Sequence, residues 1–152
     1  MTLVEKILYL FAHKKTKMKE NNYLIKDDFV NEEVLDEVVS SVKSYDDVVA
    51  LCKKIKKPES LRKQQKERLV KKLIKFSKTY DEILKVKDYY ATEVLHYSLT
   101  DKQVWRLIEK LVWASTNDNQ LDEIKRYARS KGCVSRYMKV LFNKRIAEVF
   151  AS

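Results

Sequence analysis

Residues 69–83 read LVKKLIKFSKTYDEI, and this stretch decides the fold class. Its apolar residues recur every three or four positions up to Phe76, which is the period of one helix face. Thr79 and Glu82 have the spacing of a capping box, in which each side chain satisfies a free backbone N–H at the start of a helix. The stretch therefore predicts two helices joined by a tight polar turn.

The same pattern occurs twice more along the chain. Residues 34–48, VLDEVVSSVKSYDDV, align with it at a spacing of 35, and residues 107–124 form a third copy if about three residues are inserted near Asn117. Periods of this size are typical of stacked helical hairpins. Caps alone give most helix–turn–helix junctions a similar sequence, so common descent of the copies stays open.

Turn residues are scarce, since the chain has one glycine, Gly132, and one proline, Pro58. A sheet protein needs such residues every 8–12 positions. We therefore predict a single all-α domain spanning 1–152. Pro58 should open the first turn of a helix and Gly132 should end one.

Capping signals and periodicity together predict about eight helices and one long loop near 15–30. The helices are expected near 3–14, 31–43, 45–56, 58–77, 80–97, 101–115, 119–131 and 135–150. We expect four stacked hairpins that form a short α-solenoid, with a closed bundle of seven or eight helices as the alternative.

Motifs for catalysis are lacking, and we expect no enzyme activity, metal or cofactor. One glycine is too few for a Gly-rich phosphate loop. Glu93 is the only potential ligand at helical spacing from a histidine, His96, and this pair has no supporting ligands. Cys52 and Cys133 fit buried thiols better than a disulfide framework. No apolar run is long enough for a membrane span, and the first residues do not resemble a signal peptide, so we expect an intracellular protein of the cytoplasm or nucleus.

Charge is the most specific functional feature, because the net charge of +10 is concentrated in segments. Residues 20–47 carry a net charge of −7, residues 53–78 a net charge of +10 and residues 119–145 a net charge of +6. Concentrated cationic faces attract polyanions through long-range steering and counterion release. The candidate partner-binding or phosphate-binding residues are Arg62, Lys63, Lys66, Arg68, Lys71, Lys72, Lys75, Lys78, Arg126, Arg129, Arg136 and Lys139.

These residues predict a non-catalytic helical interaction module that binds a nucleic-acid backbone or an acidic protein segment, with the two classes near even. A solvated face that binds nothing stays open, as does self-association of the acidic 20–47 and basic 53–78 segments. The alternative function is a helical bundle that captures an amphipathic helix of a partner protein in a hydrophobic groove. Trp105 and Trp113 lie on a nearly all-apolar helix, which we expect to be central in the fold rather than a platform for stacking bases.

Overall fold

The computed structural model describes residues 32–55, 58–133 and 135–150, and in those ranges the chain is helical with no strand. The all-α prediction is confirmed. The elements are α1 (Glu32–Ser41), α2 (Tyr45–Lys54), a 3₁₀ turn (Pro58–Ser60), α3 (Lys63–Phe76), α4 (Tyr80–Lys85) continuing as a π-helix (Val86–Val94), α5 (Asp101–Ala114), α6 (Asp118–Ser130) and α7 (Arg136–Phe150). The helix expected near 3–14 and the loop expected near 15–30 lie outside the described residues.

The capping box predicted at Thr79 is confirmed, and two further helices begin at caps of the same kind. The Thr79 hydroxyl accepts a hydrogen bond from the Glu82 backbone N–H at 3.1 Å, and the Glu82 carboxylate accepts one from the Thr79 N–H at 3.2 Å. Thr100 and Gln103 make the same reciprocal pair at the start of α5. Ser44 caps α2. These bonds satisfy N–H groups that have no partner within their own helix.

The stop predicted at Gly132 is confirmed as well. Gly132 has a φ of +71°, in the left-handed region that glycine adopts without steric cost. The next N–H, from Cys133, donates back to the Ala128 carbonyl at 2.8 Å, which closes the end of α6.

The helix predicted over 58–77 is wrong at its first turns. Pro58 opens a single 3₁₀ turn, and α3 begins only at Lys63. Leu61 is buried between the two elements, and the Arg62 backbone N–H donates to the Gln65 side chain at 3.0 Å. The chain bends here because burying Leu61 and Gln65 takes precedence over continuing one straight helix.

The helix predicted over 80–97 ends earlier and changes its winding. After Lys85 the chain becomes a π-helix to Val94, and His96 has a left-handed φ of +49°. A π-helix has more residues per turn than an α-helix and is rare beyond a single turn. Here the wide turns keep Val86, Tyr90 and Leu95, which are four and five residues apart, in the core.

Helices α3 and α5 are the centre of the fold. Helix α3 contacts α1, α2, the π-helix and α5, and helix α5 contacts α3, α4, α6 and α7. Four consecutive core positions of α5, Leu107, Ile108, Leu111 and Val112, are almost completely buried. The prediction that the tryptophan-bearing helix is central is therefore confirmed, since α5 contacts four other helices and buries its apolar side.

Equivalent tyrosines make equivalent contacts along the chain. The Tyr45 hydroxyl at the start of α2 donates to the Glu82 carbonyl of α4 at 3.4 Å. The Tyr80 hydroxyl at the start of α4 donates to the Gln120 carbonyl of α6, also at 3.4 Å. Thr79 caps α4 and Asn117 caps α6, so these two residues occupy matching places. The additional residues therefore lie ahead of the third copy and not near Asn117 as predicted.

A second contact recurs at the carboxyl ends of α1, α3 and α5. In each case a cation from the helix two places further along the chain donates to the terminal carbonyl groups. Lys72 of α3 donates to Val42 O at 2.8 Å, Lys110 of α5 donates to Ile74 O, and Arg145 of α7 donates to Ser115 O at 2.7 Å. These carbonyls have no partner within their own helix, so each cation both caps one helix and ties it to the next.

Truncation of Leu107 to alanine should lower the free energy of unfolding by about 2–5 kcal/mol, because the side chain is fully buried in the central helix. Val140→Ala is the matched control, since Val140 is 59% exposed and its loss should cost less than about 0.5 kcal/mol. Urea unfolding followed by circular dichroism measures both. Equal effects of the two variants would contradict the assignment of α5 to the core.

Stability should fall between pH 10 and pH 12. Burial, reinforced by the Glu123 carboxylate, raises the pKa of Tyr80 from its ordinary 10.0 to about 12. The folded state then holds the phenolic proton where the unfolded state has lost it, so stability is full below pH 10 and is lost as the pH rises through the folded value. In Tyr80→Phe, the slope of the free energy of unfolding against pH should be smaller in this range, by at most about 1.4 kcal/mol per pH unit. Urea unfolding at a series of pH values tests this, and parallel curves would contradict it.

Candidate polyanion interface

The basic residues predicted on α3 do not form one face. Arg68 turns towards α1, where its guanidinium pairs with Asp36 at 3.2 Å and donates to the Ser40 hydroxyl at 2.6 Å. Lys72 also turns towards α1 and caps its carboxyl end. Burial, together with the neighbouring Arg68 and Lys75 charges, lowers the pKa of Lys72. Both residues therefore make contacts within the fold, and their part in the predicted site stays a prediction.

The Arg68–Asp36 pair also bears on self-association. It joins the basic 53–78 segment to the acidic 20–47 segment within one chain. Part of the charge complementarity that was expected to operate between copies is thus used inside a single molecule.

Lys71 and Lys75 lie on the other side of α3 and line a groove between α3 and α5. We call this the α3–α5 groove; its volume is about 660 Å³. Both lysines are exposed. Lys75 lies 5.5 Å from the centre of the Phe76 ring, and Lys71 pairs with Glu67 at 3.2 Å. These are the predicted residues that the structure places best for an external partner.

The opposite wall of this groove is α5, which the sequence analysis did not include in the site. Lys102 and Arg106 are exposed there, one helical turn apart, with the half-buried Trp105 between them. Glu109 follows at 3.9 Å from the Arg106 guanidinium. Segment charge could not reveal Lys102 and Arg106, because the α5 sequence carries nearly balanced charge. Only their i, i+4 spacing on the Trp105 face was a usable signal.

The α3–α5 groove is cationic overall. Its four cations, Lys71, Lys75, Lys102 and Arg106, face two carboxylates, and each carboxylate is already paired with one of them. The groove floor includes Ile74, so apolar contact and positive charge occur together. This arrangement suits an anionic ligand with an apolar or flat part.

The C-terminal basic residues divide in a similar way. Arg129 and Lys139 line a smaller groove between α6 and α7, of about 270 Å³, with Lys125 beside them. Its floor contains Met138 and Phe142. We call it the α6–α7 groove.

The remaining predicted residues are distributed over the surface. Arg126 and Arg136 are exposed and do not line the α6–α7 groove. At the amino end of α3, Arg62 and Lys63 are exposed, and Lys66 is half-buried. Lys78 is exposed in the turn after α3. Of the twelve predicted residues, four therefore line a groove, as the pairs Lys71–Lys75 and Arg129–Lys139.

Aromatic side chains continue outward from the α3–α5 groove. The Trp105 ring lies 6.3 Å from the Tyr137 ring of α7, centre to centre, and Tyr137 is 57% exposed. Two turns further along α5, Trp113 is 44% exposed and has the Lys144 ammonium 5.4 Å from its ring centre. Val140 lies between Tyr137 and Lys144 on α7. We call Trp105, Trp113, Tyr137 and Val140 the aromatic face. The helix is central, as expected, yet both of its tryptophan rings are partly exposed.

The described residues contain no group of three or more histidine, cysteine or carboxylate side chains that could hold a metal ion. Glu93 and His96 do not share a helix face, because the π-helix ends at Val94. Burial raises the pKa of the Cys52 thiol to about 12. Within the described part of the chain, no helix is long and apolar enough to cross a membrane.

Comparison with known proteins gives no match: no family model, no curated protein and no solved structure resembles this chain.

Lys72 and Lys71 differ in role although they are neighbours. Substitution of each by methionine should therefore have different effects on the free energy of unfolding. Lys72→Met removes the charged hydrogen bond to Val42 O and should lower the free energy of unfolding by about 1–2 kcal/mol. Lys71→Met loses only an exposed i, i+4 pair and should cost less than about 0.5 kcal/mol. Urea unfolding of both variants is the measurement. A larger loss for Lys71→Met would contradict the division of α3 into a structural side and a groove side.

Proposed function

We propose that the protein is a non-catalytic helical interaction module that holds a polyanionic partner in the α3–α5 groove, inside the cell. The observation that carries this proposal is the position of Lys71, Lys75, Lys102 and Arg106 on the two walls of one groove. The partner is defined chemically as a chain of closely spaced negative charges, either phosphates or carboxylates.

We further propose that the helices are stacked hairpins in a short α-solenoid. The repeated contacts support this: α1 contacts α3, α3 contacts α5, and α5 contacts α7. The tyrosine hydrogen bonds at the starts of α2 and α4 and the cation caps at the ends of α1, α3 and α5 recur from unit to unit. In such a stack a groove lies between successive helices of one layer, and extended ligands are bound across these grooves.

Binding would proceed in two stages. The concentrated positive charge attracts the polyanion over a distance of about one Debye length, roughly 8–10 Å in physiological salt. The ammonium and guanidinium groups of the groove then replace the counterions of the polyanion, and the released counterions supply much of the free energy. Lysines contribute charge without reading a particular sequence, so the proposed binding is of low sequence specificity.

The test is charge reversal in the groove. Lys71→Glu/Lys75→Glu should weaken binding of a short random-sequence DNA strand at least about tenfold at low salt, because two phosphate contacts become repulsive. The slope of log K against log salt should become shallower by about 0.7 for each lost contact. Lys72 is left intact because it caps α1. Fluorescence anisotropy at several salt concentrations measures both quantities, and polyglutamate serves as the carboxylate polyanion.

Lys53→Glu/Lys85→Glu is the matched control. It makes the same change in net charge at two exposed lysines that lie outside both grooves. Equal weakening by the two double variants would show that only net charge matters, and the groove would then have no special role. Unchanged binding by the groove variant would contradict the proposal directly.

A second function is favoured by a different observation, the exposed apolar side chains of the aromatic face. Trp113, Tyr137 and Val140 could receive the apolar side of an amphipathic helix from a partner protein. Binding of this kind would depend little on salt, whereas binding in the α3–α5 groove would fall steeply with salt. The salt series therefore separates the two functions.

A further inference from the structure

The cationic α3–α5 groove and the aromatic face form one continuous surface across α3, α5 and α7. Trp105 belongs to both, since it lines the groove and its ring contacts Tyr137. Trp113 lies on the same side of α5, about 12 Å further along the helix at 1.5 Å per residue. A ligand that extends from the groove along α5 therefore meets positive charge first and aromatic rings next.

We propose that the partner is single-stranded nucleic acid, with phosphates in the α3–α5 groove and bases stacked on Tyr137, Trp105 and Trp113. This inference rests on the proposed function, because it names the polyanion that the same groove holds. The choice follows from matching two features at once. An acidic protein segment matches the cations but offers no flat π surface as a general part of its chain.

A nucleic-acid duplex matches the charge but hides its base faces within the stack. Single strands expose both phosphates and base faces, and proteins that bind them combine a basic groove with aromatic side chains. Tyr137 is more than half exposed, as an aromatic ring must be if a base is to stack on it. Lys144 over the Trp113 ring places a further cation where the strand would leave the aromatic face.

Sequence preference should be weak. The groove uses three lysines and one arginine, and lysine makes no bidentate contact with a base edge. Stacking is tolerant of base identity because every base has a π face. The strand would thus be recognised by being single-stranded rather than by its sequence.

The experiment compares probes of equal phosphate number, each one strand of about 15 nucleotides, with the duplex supplied as a hairpin. Oligothymidylate, an abasic strand and a duplex are titrated against the protein by fluorescence anisotropy at one low salt concentration. Oligothymidylate should bind about 5- to 100-fold more tightly than the abasic strand, because stacking adds to the phosphate contacts. Trp105 and Trp113 are the only tryptophans of the chain, so oligothymidylate and not the abasic strand should quench the intrinsic emission.

Two exposed tyrosines provide a matched pair of variants. Tyr137→Ala should lose at least about fivefold of the affinity for oligothymidylate while leaving the abasic strand unaffected. Tyr89→Ala is the control, since Tyr89 is 51% exposed on the π-helix and contacts one other ring, just as Tyr137 does. The comparison of probes on the unaltered protein needs no variant. It therefore tests whether base stacking contributes to binding even if a variant fails to fold.

The outcomes separate this inference from the proposed function. Equal affinity for oligothymidylate and the abasic strand would overturn the inference and leave polyanion binding intact. Equal or tighter binding of polyglutamate would overturn it in favour of an acidic protein partner. If none of the polyanions binds at low salt, the proposed function fails and the inference fails with it.

Discussion

The carbonyl groups at the carboxyl ends of α1, α3 and α5 are the constraint on which the rest of the structure depends. Each helix end leaves backbone acceptors without an internal partner, and here a cation from the helix two places further along the chain supplies a donor. Lys72, Lys110 and Arg145 thereby join α3 to α1, α5 to α3 and α7 to α5. A basic side chain that is used in this way has fewer donors left for a ligand, so the same contacts influence which cations remain available.

The difference between cations that cap helices and cations that line a groove explains how far the sequence could predict the site. Charge counting located the basic α3 helix, and helical periodicity placed Lys71 and Lys75 away from the core. It could not separate them from Arg68 and Lys72, because the difference comes from Asp36, Ser40 and Val42 O on another helix. Lys102 and Arg106 were missed for the same reason, since only the packing of α5 against α3 brings them to the groove.

The fold was more predictable than the site because its signals are local. The caps at Ser44, Thr79 and Thr100 depend on residues three apart, and the scarcity of glycine and proline excludes most sheets. The errors lie where a distant contact overrides a local pattern. The bend after Pro58 depends on the burial of Leu61, and the change to a π-helix after Lys85 depends on keeping Tyr90 and Leu95 in the core.

The π-helix has a consequence for how the chain can vary in length. The interval between successive caps is longer from Thr79 to Asn117 than from Ser44 to Thr79, and the additional residues fall in the stretch that contains Val86–Val94. Wide turns accommodate more residues along a given axial length than α-helical turns do. Insertions or deletions could therefore accumulate in this stretch over evolution while the flanking helices keep their partners. Homologues of this protein are thus expected to differ most in length here, and an alignment that assumes one fixed repeat period would fail at this point.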